Sequence, residues 1–132
     1  MKLLIADADQ STHTLLNKVL NSYSSAIYHA FSGDETYVGY HQSEADLIIC
    51  SLDLPGMDIF AIHNRLNTIE GGNVPFIVMG KTNNPDLVRR VIQLGIQDFI
   101  AKPFDLATAR FRIGKVCKRI KLRKESRLPM AV

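Results

Sequence analysis

The sequence predicts a single-domain α/β sandwich, a doubly wound (βα)5 fold with a parallel sheet between two layers of helices. Three observations carry this expectation. Short apolar runs alternate five times with amphipathic stretches of helical length. The best of those runs are apolar at every position, as strands covered on both faces are. The chain has 132 residues, 46% of them hydrophobic and 22% charged, which suffices for one hydrophobic core but not comfortably for two.

The elements follow in order. Residues 3–6 are an apolar run stopped by Asp7, a buried strand. Ser11 is placed as the cap of a first helix, in which Leu15, Leu16, Val19 and Leu20 recur at helical spacing. Residues 26–30 make a weaker strand, and residues 34–41 a second helix opened after Gly33. Residues 45–50 (A-D-L-I-I-C) form the clearest strand, followed by a turn at Leu54-Pro55-Gly56-Met57. Asp58 caps a third helix reaching about residue 69, where Gly71-Gly72-Asn73 ends it. Residues 75–79 are a fourth strand; Pro85 suits the first turn of a fourth helix that Gly95 terminates. Residues 99–101 are a fifth strand, and Asp105 begins a last helix running to about residue 124.

Composition excludes several classes. Nothing at the N-terminus resembles an export signal, and no apolar stretch is long enough to span a bilayer, so a cytoplasmic location is expected. Cys50 and Cys117 lie in apolar surroundings and read as reduced interior thiols; for Cys50 a redox role is the rival to inert packing. The net charge of +3 is divided unevenly, with −5 over residues 1–109 and +8 over residues 110–132. Residues 1–120 therefore read as the domain, and residues 121–132 as a basic helix end and tail. That end is a linker to an output domain, a solvated helix terminus or an electrostatic contact. Nucleic acid is not expected for this domain alone, because no aromatic side chain follows Phe111 to stack on bases.

In parallel α/β folds, functional groups gather at the carboxyl ends of the strands. Here those ends carry Asp7-Ala8-Asp9, Ser51 with Asp53, Gly80-Lys81-Thr82 and Lys102-Pro103. Together these segments resemble the receiver domain of bacterial two-component response regulators, from about residue 2 to about residue 118. L-L-I-A-D-A-D is similar to the family's first strand and acidic turn, and D-L-I-I-C-S-L-D-L-P-G-M-D to its third strand and acceptor loop. V-P-F-I-V-M-G is similar to its fourth strand, and G-I-Q-D-F-I-A-K-P-F to its fifth strand with the lysine–proline signature.

The resemblance implies a flavodoxin-like sheet in order 2-1-3-4-5. It also implies an aspartate that takes a phosphoryl group from a histidine kinase with Mg²⁺ bound, and a response at the face formed by the fourth helix, fifth strand and last helix. On this sequence that face carries Leu87, Val88, Val91, Ile92, Phe99 and Arg110, with Phe99 at the family's aromatic switch position. In the family the face forms dimers, so a homodimer joins a protein partner or an output domain among the expected partnerships.

The sequence departs from the family pattern where the chemistry is done. The acceptor position, four residues before Pro55, is Ser51; the second position of the acidic pair is Ala8; the Ser/Thr closing the fourth strand is replaced by Gly80. Asp7 and Lys102 keep the family's residue types. A carboxylate is ionised at neutral pH, whereas a serine hydroxyl needs a base, and none of His13, His29, His41 and His63 is placed to be one. Mg²⁺ wants carboxylate and substrate oxygens, so Asp7 alone is expected to bind it weakly or not at all. No cofactor and no catalysis are expected.

The reading is a phosphorylation-independent interaction module, a pseudo-receiver. Its rivals are a phosphoacceptor receiver using Asp53 and a sensor of a small anion or nucleotide beside Lys102. Asp9 is expected to serve the first helix's N-terminus rather than to replace a metal ligand. Lys102-Pro103 either binds an anion or shapes the fifth turn.

Overall fold

The computed structural model describes residues 1–126. Five strands form one parallel sheet: β1 (Lys2–Ala6), β2 (Ala26–Ala30), β3 (Leu47–Ser51), β4 (Phe76–Gly80) and β5 (Asp98–Ala101), in spatial order β2-β1-β3-β4-β5. The order is the expected one. Five helical segments connect and follow them: α1 (Gln10–Leu20), α2 (Gly33–Ser43), α3 (Ile59–His63), α4 (Pro85–Ile92) and α5 (Leu106–Ser126).

Strand alternation divides the core in two. Leu3 and Ile5 of β1 face α1 and α5, joining Leu16, Leu20, Ile113 and Val116. Leu4 and Ala6 point the other way, toward Ile59, Ile62 and Val91 on the opposite helices. Strands β3 and β4 are buried at all five positions, which explains why their sequences lack alternation. Strand β2 lies at the edge with Tyr28 and His29 exposed, which explains its weaker sequence signal.

Local chemistry adjusts the expected boundaries. Helix α1 is capped by Asp9 rather than Ser11: the Asp9 carboxylate accepts the Ser11 amide at 2.9 Å. A carboxylate two residues ahead satisfies a free amide and favours the positive helix pole, leaving Ser11 in the first turn. Asp58 caps α3 as expected, accepting the Ala61 amide at 2.9 Å. Beyond His63 that helix widens into a π-turn over Asn64–Ile69, closed by a Glu70 amide bond to the Arg65 carbonyl. Asn67 on this turn clasps Val74 by both its amide, at 2.8 Å, and its carbonyl, at 3.0 Å. Strand β3 starts at Leu47, two residues after the expected start, and Asp46 fastens its entry to β1: the Asp46 amide donates to the Lys2 carbonyl at 2.8 Å, and its carboxylate accepts the Lys2 amide at 2.7 Å and pairs with Lys124.

The buried stripe of α5 is Ala109, Ile113, Val116, Cys117 and Ile120. The division placed at residue 121 falls inside this helix, which runs without a break to Ser126 and is tied to the body by the Lys124–Asp46 pair. The tail from residue 127, Arg127 included, lies outside the described residues. Among those described, no helix is long and apolar enough to cross a membrane.

Candidate functional site

Because neighbouring strands run parallel, Asp7, Ser51, Gly80 and Lys102 arrive side by side at the carboxyl edge of the sheet. Asp7 is 3% exposed and both its carboxylate oxygens are engaged. Oδ1 accepts the Asp9 amide at 2.9 Å, and Oδ2 accepts the Lys102 ammonium at 2.7 Å. Lys102 Nζ also donates to Ser51 Oγ at 3.2 Å, while its backbone amide is fixed on the Gly80 carbonyl at 2.8 Å. Ser51 is buried, and its Oγ accepts the Asp53 amide at 3.3 Å as well. The ammonium thus sits between one carboxylate and one neutral hydroxyl, a charge-balanced arrangement that suits a buried place.

The flanking residues divide as their side chains reach. Ala8 contributes an exposed methyl. Asp53 is exposed, and its backbone rather than its carboxylate touches Ser51. Asp9 turns to the helix, where the Ser11 amide holds its carboxyl below the ordinary range. Behind Ser51, the Cys50 thiol is pushed up to about 12 by burial first and by the negative Asp7 next, which makes it a poor nucleophile.

His13 supports the site in a way the sequence did not announce. Its Nε2–H donates to the Asp7 carbonyl at 2.7 Å, and its Nδ1 shares a hydrogen bond of 2.7 Å with His29 Nδ1. Burial and the adjacent His13 keep the His29 imidazole below its ordinary pKa.

The β4 side of the mouth is apolar. Leu52, which sequence reasoning passed over, donates its amide to the Met79 carbonyl at 2.7 Å and lies over Gly80. A Cβ on residue 80 would fall 2.8 Å from Leu52 Cβ and 3.4 Å from Phe99 Cζ. Its one sequence signal is a leucine directly after the acceptor position, among polar neighbours. The Lys102–Pro103 peptide bond is cis. Beside it opens a cavity of about 360 Å³ whose lining includes the acidic Asp9 as well as Leu15, Lys81, Lys102, Pro103 and Phe104.

On the face of α4, β5 and α5, Leu87, Val88 and Phe99 are half-buried, Arg110 is exposed and Ile92 is 54% exposed. Val91 does not belong to that surface. It is 0% exposed, because it is the residue of α4 that points into the core against the sheet. Phe111, not among the residues expected on that face, is 66% exposed and lines a groove of about 660 Å³ with Arg112, Lys115 and Arg119. Asp98 ties β5 to α5 by a fork onto Arg112 at 2.6 and 2.9 Å.

Comparison with known proteins agrees with this geometry. The family model described as the response regulator receiver domain matches residues 3–113. Sporulation initiation phosphotransferase F of Bacillus subtilis is 29% identical over 114 residues, covering 86% of this chain and 91% of that protein. Transcriptional activator protein IrlR of Burkholderia pseudomallei is 30% identical over 136 residues, covering 99% of this chain and 56% of that protein. The chain thus spans nearly all of the first relative and about half of the second. Among solved structures, the receiver domain of AraT, a response regulator from Geobacillus stearothermophilus, superposes with a TM-score of 0.81 at 20% identity, covering 93% of this chain and 97% of that one. The chemotaxis response regulator CheY4 of Vibrio cholerae gives 0.73 at 18% identity, covering 90% and 97%.

Proposed function

Since the chain belongs to the response regulator receiver domain family, we propose that it serves two-component signalling as a receiver-type module that engages protein partners without accepting phosphate. The observation that carries this reading is the Lys102 ammonium held at 2.7 Å on Asp7 and 3.2 Å on Ser51, with no carboxylate at the acceptor position. A serine hydroxyl in this setting has an ammonium donating to it and no base in contact with it, so it is not activated toward phosphohistidine.

The donor set does not fit Mg²⁺ either. Asp7 has one oxygen on a cation and the other on an amide, residue 8 offers a methyl, and residue 51 offers a neutral oxygen. Signalling then rests on the surface of α4, β5 and α5, where Ile92 and Phe111 are exposed and Arg110 adds charge. The partner is another protein, an output domain or a second copy.

Incubation with acetyl phosphate and Mg²⁺, followed by intact-mass measurement, tests the reading. An unchanged mass is expected. A gain of one phosphoryl group that disappears in Asp53→Asn or Ser51→Ala overturns it.

The cavity beside Lys81 and Lys102 favours a second reading, a site for a small anion or nucleotide. Thermal stabilisation by phosphate or nucleotides, lost in both Lys81→Ala and Lys102→Ala, would establish it.

A further inference from the structure

We infer that this chain associates with itself head to tail: the outer face of α5 on one copy docks on the outer face of α2, with the π-turn beside it, on the next. This rests on the reading of the chain as a protein-binding module and names its partner as a second copy, held by two unlike surfaces rather than by one shared patch.

The outer face of α5 is unpartnered. Phe111, Lys115, Lys118 and Leu122 are exposed and recur at intervals of four, three and four, on the side opposite the buried Ile113, Val116 and Ile120. Phe111 and Leu122, both large and apolar, stand about 16 Å apart along this line. Beside Phe111 lies the groove of about 660 Å³, which has room for an aliphatic side chain. Arg112 is held by Asp98 and Lys124 by Asp46. Arg110, Lys115, Lys118, Arg119, Lys121 and Arg123 have no ion pair among the described residues, and Glu125 is the one acid of the helix.

The complementary face lies across the sheet. Helix α2 packs in the other layer through Tyr37 and Tyr40, and leaves Asp34, Glu35, Val38, His41 and Gln42 exposed, with Glu44 at its end. Glu70 joins the π-turn to this side: its carboxylate accepts the Tyr37 hydroxyl and pairs with His41 Nε2 at 2.8 Å. Val38 is 51% exposed, and Ile69, next to Glu70, is 71% exposed. This side thus offers four carboxylates and two apolar side chains, while its arginine, Arg65, stands 4.4 Å over the Tyr37 ring.

Charge decides the occupant. A polyanion or an acidic lipid surface drawn to α5 also meets the body, which carries −5 over residues 1–109, whereas a second copy turns that same charge toward the basic helix. The sheet stands between the two faces, so one molecule cannot bring its own together. Each contact uses a different patch on each copy and leaves one of each kind free, which builds open chains rather than a closed pair.

Sedimentation velocity of the whole chain, with no phosphodonor present, tests this. At low ionic strength the unmodified protein is expected to sediment faster as its concentration rises, past the dimer, and to return to the monomer near 1 M salt, where the screening length is about 3 Å. Phe111→Glu with Leu122→Glu removes one face, and Val38→Lys with Ile69→Lys removes the other. Each double variant alone is expected to stay monomeric. An equal mixture of the two is expected to form a dimer and nothing larger, because it holds one intact face of each kind. Lys118→Glu with Arg119→Glu serves as a second basic-face variant if glutamate at 111 and 122 unfolds the helix. A monomer at every concentration of the unmodified chain, or no dimer in the mixture, overturns the inference. So does a closed dimer that persists in Val38→Lys with Ile69→Lys, since one self-matching face would produce it. A phosphoryl group taken from acetyl phosphate would sink the phosphorylation-independent reading instead, and the mixture would still decide this contact.

Discussion

At the β1–β3 side of the mouth, Asp7, Ser51 and Lys102 are joined by hydrogen bonds of 2.7 and 3.2 Å, whereas at the β4 side the space in front of Gly80, where a Cβ would stand, is bounded by carbon atoms of Leu52 and Phe99. The two sides lie on adjacent strands of one sheet, yet they answer to different physics. The polar side is set by charge and direction, so exchanging one side chain changes its state without needing room. The apolar side is set by volume, and any exchange there must first find space.

The sharpest way to break this comparison is to take the cation from the polar side. Lys102→Met leaves the Asp7 carboxylate buried with no opposite charge, and breaking such a pair costs about 3–5 kcal/mol. Lys102 is still 22% exposed at its side chain, so the lower end is expected in urea denaturation. Adding Asp7→Asn should recover most of the loss, because a neutral amide tolerates burial without a counter-ion. A loss under about 1 kcal/mol in Lys102→Met would mean that the pair does not organise the mouth.

The apolar side should respond more mildly and without rescue by charge. Leu52 is half-buried, so Leu52→Ala is expected to cost about 1–2 kcal/mol by lost apolar contact. The cost should be the same in the Asp7→Asn background. A coupling above about 0.5 kcal/mol between the two substitutions would show that the sides are one unit.

The same contrast explains what the sequence could announce. Strands β3 and β4 were legible because burial on both faces forbids polar residues in them, and burial depends on composition alone. Asp7, Ser51 and Lys102 were legible by their places after strands, since parallel pairing brings such places together even across 95 residues. Leu52 was not. A leucine reads as core filler, and its role depends on a backbone approach to Gly80 that no local pattern encodes. The choice of Asp9 over Ser11 as cap is similar, because both are capping types and the turn held by the Asp9 amide on Asp7 decides between them. The π-turn carries Asn67, whose clasp on Val74 across the loop is likewise beyond any local pattern. Val91 is assigned to the surface only through the family's face; the phase of α4, over its two turns, places it inward.

Acid sharpens the comparison further, since His29, two hydrogen bonds from Asp7, is a titrating neighbour of the polar side. Its folded pKa lies below 6.5, so between the two values the unfolded chain binds more protons than the folded one. Stability therefore falls as the pH drops below about 6.5. The carboxyls of Asp9 and Asp105 are also depressed, Asp9 by the Ser11 amide and Asp105 by the Thr108 amide, so their contribution is lost only lower, as the pH falls through and below 3.8. Thermal melts between pH 7.5 and 3 should show two separate declines. His63, which burial also holds below its ordinary pKa, declines in the same upper range, so His29→Gln should flatten part of the upper decline and His29→Gln with His63→Gln more of it, both leaving the lower one in place; an upper decline unchanged by His29→Gln would assign it to His63 or another group.

The smallest effect is a rate. Cys50 lies directly behind Ser51 with its thiol pushed up to about 12, and Cys117 lies on the inner face of α5 with its thiol pushed up to about 11, both by burial first. At pH 8 neither is appreciably ionised while buried, so a thiol reagent must wait for the fold to open. If the polar side is the more easily disturbed, Lys102→Met should speed the labelling of Cys50 more than that of Cys117, whose surroundings it leaves untouched. Equal acceleration of both would mean that the domain opens as a whole, and the two sides of the mouth would then differ in chemistry but not in local stability.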